Sequence, residues 1–417
     1  MWLHLYNFSI SAYAFLIRCA AFFYTKAKKL NEGQKTVFSA LENTSFQHPI
    51  WIHCASVGEF EQGLPLYYAL EKEYPKQTFL FTFFSPSGYE YAKKKFPDFS
   101  TVYLPIDTKK NALRCIQLVQ PKAVFFIKYE FWFHYLHQLN RHQIPVFLIS
   151  GIFRKQQPFF KWYGVLHRQM LSYFHTIFVQ NEASKSLLKS IHLENVILAG
   201  DTRFDRVKQL KEEYFQDEIV EQFIQQSPVF IAGSVWQNDE TILSKIIRYL
   251  PVHWKIILAP HEPMHYDTRW LENRFVLYSN FSQTDKQILV LDSIGKLSRI
   301  YRFATFAYIG GGYGKGIHNC LEAVVYRIPV FFGPSYSKFQ EAIDLLEKGV
   351  AFCTADLDLE NTLHETINDT DKYSEIQLKA ALYIEQNANV GSKIVVFLQE
   401  NKLLNEVKSK DIFTYSK

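Results

Sequence analysis

Residues 50–55 read IWIHCA, 78–83 read TFLFTF, 123–127 read AVFFI and 146–149 read VFLI. These runs are apolar almost without interruption. A strand with one wet face would alternate polar and apolar residues; these do not, so both faces must be covered. Between them lie Gly63–Tyr74 and Asn111–Val119, whose apolar residues recur at helical spacing. Strands separated by helices imply a parallel sheet with helices on both sides. Thr101–Leu104, Thr176–Val179 and Val196–Ala199 extend the same series.

The pattern stops at residues 206–228, RVKQLKEEYFQDEIVEQFIQQSP, which are charged, amphipathic and without strand signals. It resumes with 229–232 (VFIA), 255–259 (KIILA), 287–291 (QILVL), 307–309 (AYI), 329–332 (PVFF) and 350–352 (VAF). Two series imply two tandem Rossmann-like, doubly wound domains, as suits a chain of 417 residues. The expected division is a hydrophobic N-terminal segment at 1–30, a first domain at 31–205 and a linker at 206–228. A second domain follows at 229–375, then a helical tail at 376–417 that packs back on the first domain. Open parallel sheets bind ligands beyond the carboxyl ends of their strands, so a cleft between the domains is the expected site.

Formal net charge is +5 with a pI near 8.7, which suits an anionic membrane face or a phosphorylated substrate and lacks the basic clustering of a nucleic-acid binder. Five cysteines with no CxxC pair argue against a disulfide framework or a thiolate zinc site. Residues 2–24, WLHLYNFSISAYAFLIRCAAFFY, are mostly apolar and are followed by Lys26, Lys28 and Lys29. That length nearly spans a bilayer, but His4, Asn7 and Arg18 interrupt it, and no small-residue cleavage site follows. An anchor, an interfacial helix and a buried first helix all fit, with membrane contact preferred.

The chemistry-bearing residues follow strands. Ser56-Val57-Gly58-Glu59 succeeds the first strand. Glu59 there suits a general base, and equally a helix N-terminal acid favoured by the dipole. Glu130 in Lys128-Tyr129-Glu130-Phe131-Trp132 offers a second carboxylate, or an ion pair with Lys128. Arg203 in GDTRFD (200–205) can stabilise negative charge, or pair with Asp201 or Asp205. Gly233-Ser234 directly follows a strand and suits close approach to a phosphate. His261 is followed by Pro263 and then His265, a spacing whose proline argues against a helical metal pair; no metal is expected. Residues 308–323, YIGGGYGKGIHNCLEA, run from strand through glycine turn to a helix expected near Asn319. Gly311 and Gly312 would expose amides to an anion, and Glu322 would hold ribose hydroxyls. The glycines only loosely mimic GxGxxG, and no acid ends the next strand, which excludes a dehydrogenase.

The ordered set WIHCASVGEF, TFFSPSG, YLPID, KYEFW, VQNEAS, GDTRFD, FIAGS, LAPHEP, DSIGKL and GGGYGKGIHNCLEAVVYRIPVFFGP, over about residues 50–350, resembles the 3-deoxy-D-manno-octulosonic acid (Kdo) transferase family. The resemblance implies the GT-B fold and metal-independent, inverting transfer of Kdo from CMP-Kdo to a lipid A precursor, with no cofactor. It implies Glu59 as general base, and Glu130 and Arg203 as stabilisers of the transition state. It implies that Pro260, His261, Ile294, Gly295, Lys296 and Asn319-Cys320-Leu321-Glu322 hold the CMP moiety, with Ser234 beside them. The hydrophobic N-terminus then suits an acceptor in the inner membrane, met from the cytoplasmic face. The chain departs from the family at Lys128 and Tyr129, where acids and a threonine are usual, at Arg203 for lysine, and at Cys320 for proline.

Overall fold

The computed structural model describes residues 1–44, 46–355 and 358–404. Its contacts divide the chain into two compact units. The first runs from Met1 to Arg206 and takes in the described residues from Asn389 to Leu404, while residues 405–417 of the expected tail lie outside the described residues; the second is Val207–Ala388.

The first unit holds an all-parallel sheet of β1 (Ile50–Cys54), β2 (Phe79–Phe83), β3 (Thr101–Tyr103), β4 (Ala123–Ile127), β5 (Val146–Gly151), β6 (Thr176–Val179) and β7 (Val196–Leu198). Their order is β3-β2-β1-β4-β5-β6-β7. The chain therefore reverses its direction of winding between β1 and β4. Alternate residues of β1 feed different cores: Trp51 joins one, while Ile50, Ile52 and Cys54 join the other. Burial on both sides is what the unbroken apolar run required.

Three N-terminal helices set the first unit's shape: α1 (Trp2–Ala20), α2 (Thr25–Glu42) and α3 (Val57–Glu73). Among the described residues no single helix is long and apolar enough to cross a membrane, and α1 and α2 meet at a bend of 119°. Ile17 of α1 and Leu30, Val37 and Leu41 of α2 are buried in the Trp51 core. The other core is closed by helix Val390–Glu400, which lies on α3. Gly391 permits that contact, because a Cβ there would stand 2.9 Å from the Pro65 carbonyl oxygen.

The second unit repeats the plan with β8 (Val229–Val235), β9 (Lys255–Pro260), β10 (Phe275–Leu277), β11 (Ile288–Val290), β12 (Phe306–Ile309), β13 (Val330–Phe332) and β14 (Ala351–Cys353). The order is β10-β11-β9-β8-β12-β13-β14, again all parallel, so winding reverses between β8 and β12. Of the fourteen strands among the described residues, β10 alone was not read from sequence; it is a three-residue, half-buried edge strand. Residues 206–228 are strand-free as expected, and hold the end of helix Arg203–Glu212 and helix Glu218–Ile224, which Asp217 caps by accepting from the Val220 amide at 3.2 Å.

Candidate active site

Each unit gathers its distinctive side chains where its winding reverses. That is the position at which loops from neighbouring strands part and leave a crevice.

In the first unit the crevice is flanked by the loops after β1 and β4. Ser56 is extended and precedes α3, which places Glu59 in the first helical turn, half-buried, with its carboxylate accepting from the Ser56 hydroxyl. Glu59 thus has the dipole environment of a helix N-terminal acid and is still reachable from outside. Glu130 follows β4. Its Oε2 accepts from Trp132 Nε1 at 2.6 Å and lies 3.1 Å from Nε2 of fully buried His53. The other ring nitrogen of His53 is 2.7 Å from Thr82 Oγ1, which accepts from Trp51 Nε1 at 2.7 Å. Every hydrogen in this chain finds an acceptor when Thr82 donates to His53 Nδ1 and His53 Nε2–H donates to Glu130. Burial, with the charges of Glu59 and Glu130 nearby, pushes the Cys54 thiol well up, so it is no nucleophile.

Glu130 is also tied to α1. Trp132 packs on Phe84 with ring centroids 4.8 Å apart, and Tyr13 of α1 stacks on Phe84 at 5.9 Å.

Arg203 opens the helix after β7, at the sheet edge. Its backbone amide and Nε donate to the two Asp201 oxygens at 2.9 and 2.8 Å, so the local ion pair allowed by sequence does form. The same turn is fixed to α3, because Arg206 donates to Glu61. Burial alone would raise the Glu61 carboxyl, but Arg206, the Tyr91 hydroxyl and Lys95 together outweigh it and the net displacement is downward. The structure brings Glu59 and Glu130 to adjacent strands and holds Arg203 on Asp201.

In the second unit the crevice is flanked by the end of β8, which runs through Ser234 to Val235 with Trp236 just beyond, and by the glycine turn after β12; the strand is thus longer than the sequence implied, with Ser234 inside it. Ser234 has φ +54° and sits at a bulge in β8, where the register with β9 shifts between Gly233 and Val235. Fully buried Asp239 joins the two loops: its carboxylate accepts from the Trp236 amide at 2.8 Å, the Gly311 amide at 2.9 Å and the Tyr308 hydroxyl at 2.9 Å. Gly311 has φ +90°, and a Cβ on Gly312 would stand 2.5 Å from the Gly333 nitrogen. Both positions thus demand glycine for the fold itself, before any ligand is considered.

Over this turn lies a stack of three rings. Trp236 and His261 centroids are 4.6 Å apart, His261 and His318 4.4 Å. Trp236 Nε1 donates to His318 Nε2 at 2.9 Å. Burial, reinforced by His261, lowers the His318 imidazole to about 4, which leaves it neutral and able to accept that hydrogen. Pro260 ends β9 buried, and the His261 amide donates to the Val235 carbonyl at 3.0 Å.

The other expected donor residues divide. Asn319 donates to Glu322 at 3.1 Å and accepts from the Leu321 amide at 3.2 Å. Cys320 and Leu321 are fully buried, so neither side chain faces a ligand. The helix expected near Asn319 is a single turn, Leu321–Val324, too short for a useful macrodipole. Ile294 is 87% exposed and Gly295 has φ +93°, with nothing near its Cβ position. Lys296 is engaged: Nζ donates to Asp217 at 2.8 Å and to the Tyr278 hydroxyl at 2.7 Å. Among the described residues no cluster of His, Cys, Asp or Glu is arranged to hold a metal.

Residues 24–206 match the family described as 3-deoxy-D-manno-octulosonic-acid transferase. The chain is 26% identical, over 93% of its length, to a bifunctional glycosyltransferase/methyltransferase of Fusobacterium nucleatum, of which it spans 62%. It is 28% identical to the 3-deoxy-D-manno-octulosonic acid transferase of Haemophilus influenzae, over 71% of this chain and 73% of that one. In fold it is similar to UDP-GlcNAc 2-epimerase from Neisseria meningitidis bound to UDP-GlcNAc, with a TM-score of 0.62, 15% identity, and coverage of 85% of this chain and 100% of the other. Two parallel sheets with loops parting at both reversal points, together with these sequence relationships, support a glycosyltransferase similar to the 3-deoxy-D-manno-octulosonic-acid transferases.

Proposed function

We propose that the protein transfers Kdo from CMP-Kdo to a lipid A precursor, with inversion and without a metal, at the cytoplasmic face of the inner membrane. The observation that carries this reading is the half-buried Glu59 carboxylate one strand away from the buttressed Glu130, at the reversal point of the first sheet. Glu59 takes the proton from the acceptor hydroxyl as its oxygen attacks the anomeric carbon of the sugar. The bond to CMP breaks on the opposite face, which inverts that centre. Glu130 faces the positive charge that develops on the ring. Arg203 offsets negative charge, for which it exchanges part of its bond to Asp201.

The donor nucleotide binds the second unit. The Gly311 amide is spent on Asp239, so the Gly312 amide and Ser234 meet its phosphate, Glu322 meets ribose hydroxyls, and the exposed edge of the Trp236–His261–His318 stack receives the flat base. Pro260, Asn319 and the main chain of Cys320 and Leu321 shape the same pocket, with Ile294, Gly295 and Lys296 at its rim.

Purified protein with CMP-Kdo and a tetraacylated lipid A precursor should release CMP. Glu59→Gln should retain CMP binding and lose at least about two orders of magnitude in turnover, as for removal of a general base. Unchanged turnover would remove Glu59 from that role.

A further inference from the structure

The two longest stretches of this sequence without any aspartate or glutamate are residues 131–181 and residues 1–31. The first carries Arg141, Arg154, Lys155, Lys161 and Arg168; the second carries Arg18, Lys26, Lys28 and Lys29. Distant in sequence, they meet in the first unit. Tyr6 of α1 accepts from the Phe133 amide at 3.2 Å, Asn7 Oδ1 is 2.7 Å from His134 Nε2, and α1 touches helix Val165–Ser172. The two segments themselves supply cations and no acid; the acids beside them are buried Asp107, held by Tyr6 and the His134 and Tyr135 amides, and Glu90, paired with Lys29 at 2.6 Å.

α1 is bound to that region along one stripe only. Trp2 and Tyr6 pack on the Trp51 core, Ile10 and Ile17 are buried, and Tyr6 donates to buried Asp107 at 2.5 Å. The opposite side is apolar and uncovered: Leu5, Phe8, Phe15 and Leu16 are each more than half exposed. Next to helix Val165–Ser172, Trp162 is 84% exposed, with Lys161 before it. Aromatic rings and cations without acids are the composition that seats a protein in the headgroup layer of an anionic bilayer.

We propose that α1 lies in the plane of an anionic membrane rather than across it, with the Trp162 loop as a second point of insertion beside it. This rests on the membrane location proposed above. At 19 residues α1 is about 28 Å long and in length alone could span the hydrocarbon. Its packed stripe forbids that. Spanning would strip Tyr6 from Asp107 and Asn7 from His134 and leave those polar groups in lipid or unpaired.

The test places a single fluorescent label at Phe8→Cys or Phe15→Cys in the full chain carrying Cys19→Ser; the other four cysteines are buried. Phe8 and Phe15 are seven residues apart on the uncovered side, so a perpendicular helix sets them about 10 Å apart in depth. With vesicles of phosphatidylethanolamine and phosphatidylglycerol carrying spin-labelled lipids, both labels should be quenched alike by the shallow spin label. Depths that differ by about a third of the bilayer core would overturn the in-plane helix. Trp162→Ser should weaken vesicle binding by about tenfold, the scale of losing one half-inserted aromatic. Unchanged binding would remove the loop. Absence of any vesicle binding would overturn the membrane reading itself, independently of CMP release from CMP-Kdo.

Discussion

His53 Nε2 lies 3.1 Å from Glu130 Oε2, so a fully buried imidazole on β1 holds a carboxylate that follows β4, across the reversal point of the sheet. The imidazole is itself held by Thr82, and Thr82 by Trp51. Glu130 therefore has a fixed orientation set from beneath, which the charge-facing role proposed for it would require.

His53→Ala should lower kcat by about a hundredfold, the scale of a misplaced reacting group, with little change in KM for the donor. It should also destabilise the fold by about 1–3 kcal/mol, because the buried Thr82 hydroxyl loses its partner. Steady-state kinetics and denaturant midpoints separate the two effects.

Asp239 accepts three hydrogens in a fully buried position. Asp239→Ala leaves two amides and a phenol without partners, and should cost about 3 kcal/mol or more. Because two of those donors belong to the crevice loops, CMP affinity should fall as well. Urea denaturation and calorimetric titration with CMP check this.

Burial raises the Asp107 carboxyl from 3.8 to about 6, against the opposing bonds from Tyr6 and the His134 and Tyr135 amides. The native state then binds this proton more tightly than the unfolded chain. Its contribution to stability is greatest below about pH 4 and declines as pH rises through 6. Relative to Asp107→Asn, the native protein should gain about 1 kcal/mol between pH 7 and pH 5. A pH-independent difference would show that Asp107 is not titrating in the native state.

His318 works in the other sense. Its folded value of about 4 lies below the ordinary 6.5, so the stability it confers is present above 6.5 and is lost as pH falls toward 4. His318→Gln should flatten that part of the stability profile. Trp236→Ala, which removes the ring stacked on His261, should weaken CMP binding by about tenfold.

The fold was legible because its strands are buried on both faces and so are written as unbroken apolar runs. β10 escaped because a short, half-buried edge strand needs no such run. Glu59 and Glu130 were legible as acids just past strand ends. His53 was not: inside IWIHC it reads as one polar residue in a core strand, and only strand pairing with Thr82 and β4 reveals its partners. Asp239 was equally silent in WQND, since three-dimensional convergence of two loops leaves no spacing signal. Lys296 shows the converse, a residue picked out by motif whose ammonium is occupied by Asp217 and Tyr278.

Tyr13, Phe84 and Trp132 form a continuous row of rings from the first helix to the indole that donates to Glu130. Trimming the oily first helix to obtain a tractable, detergent-free preparation would therefore also remove a prop from beneath the carboxylate proposed to face the reacting sugar. A sluggish truncated enzyme would then report a lost buttress, whatever lipid it was offered.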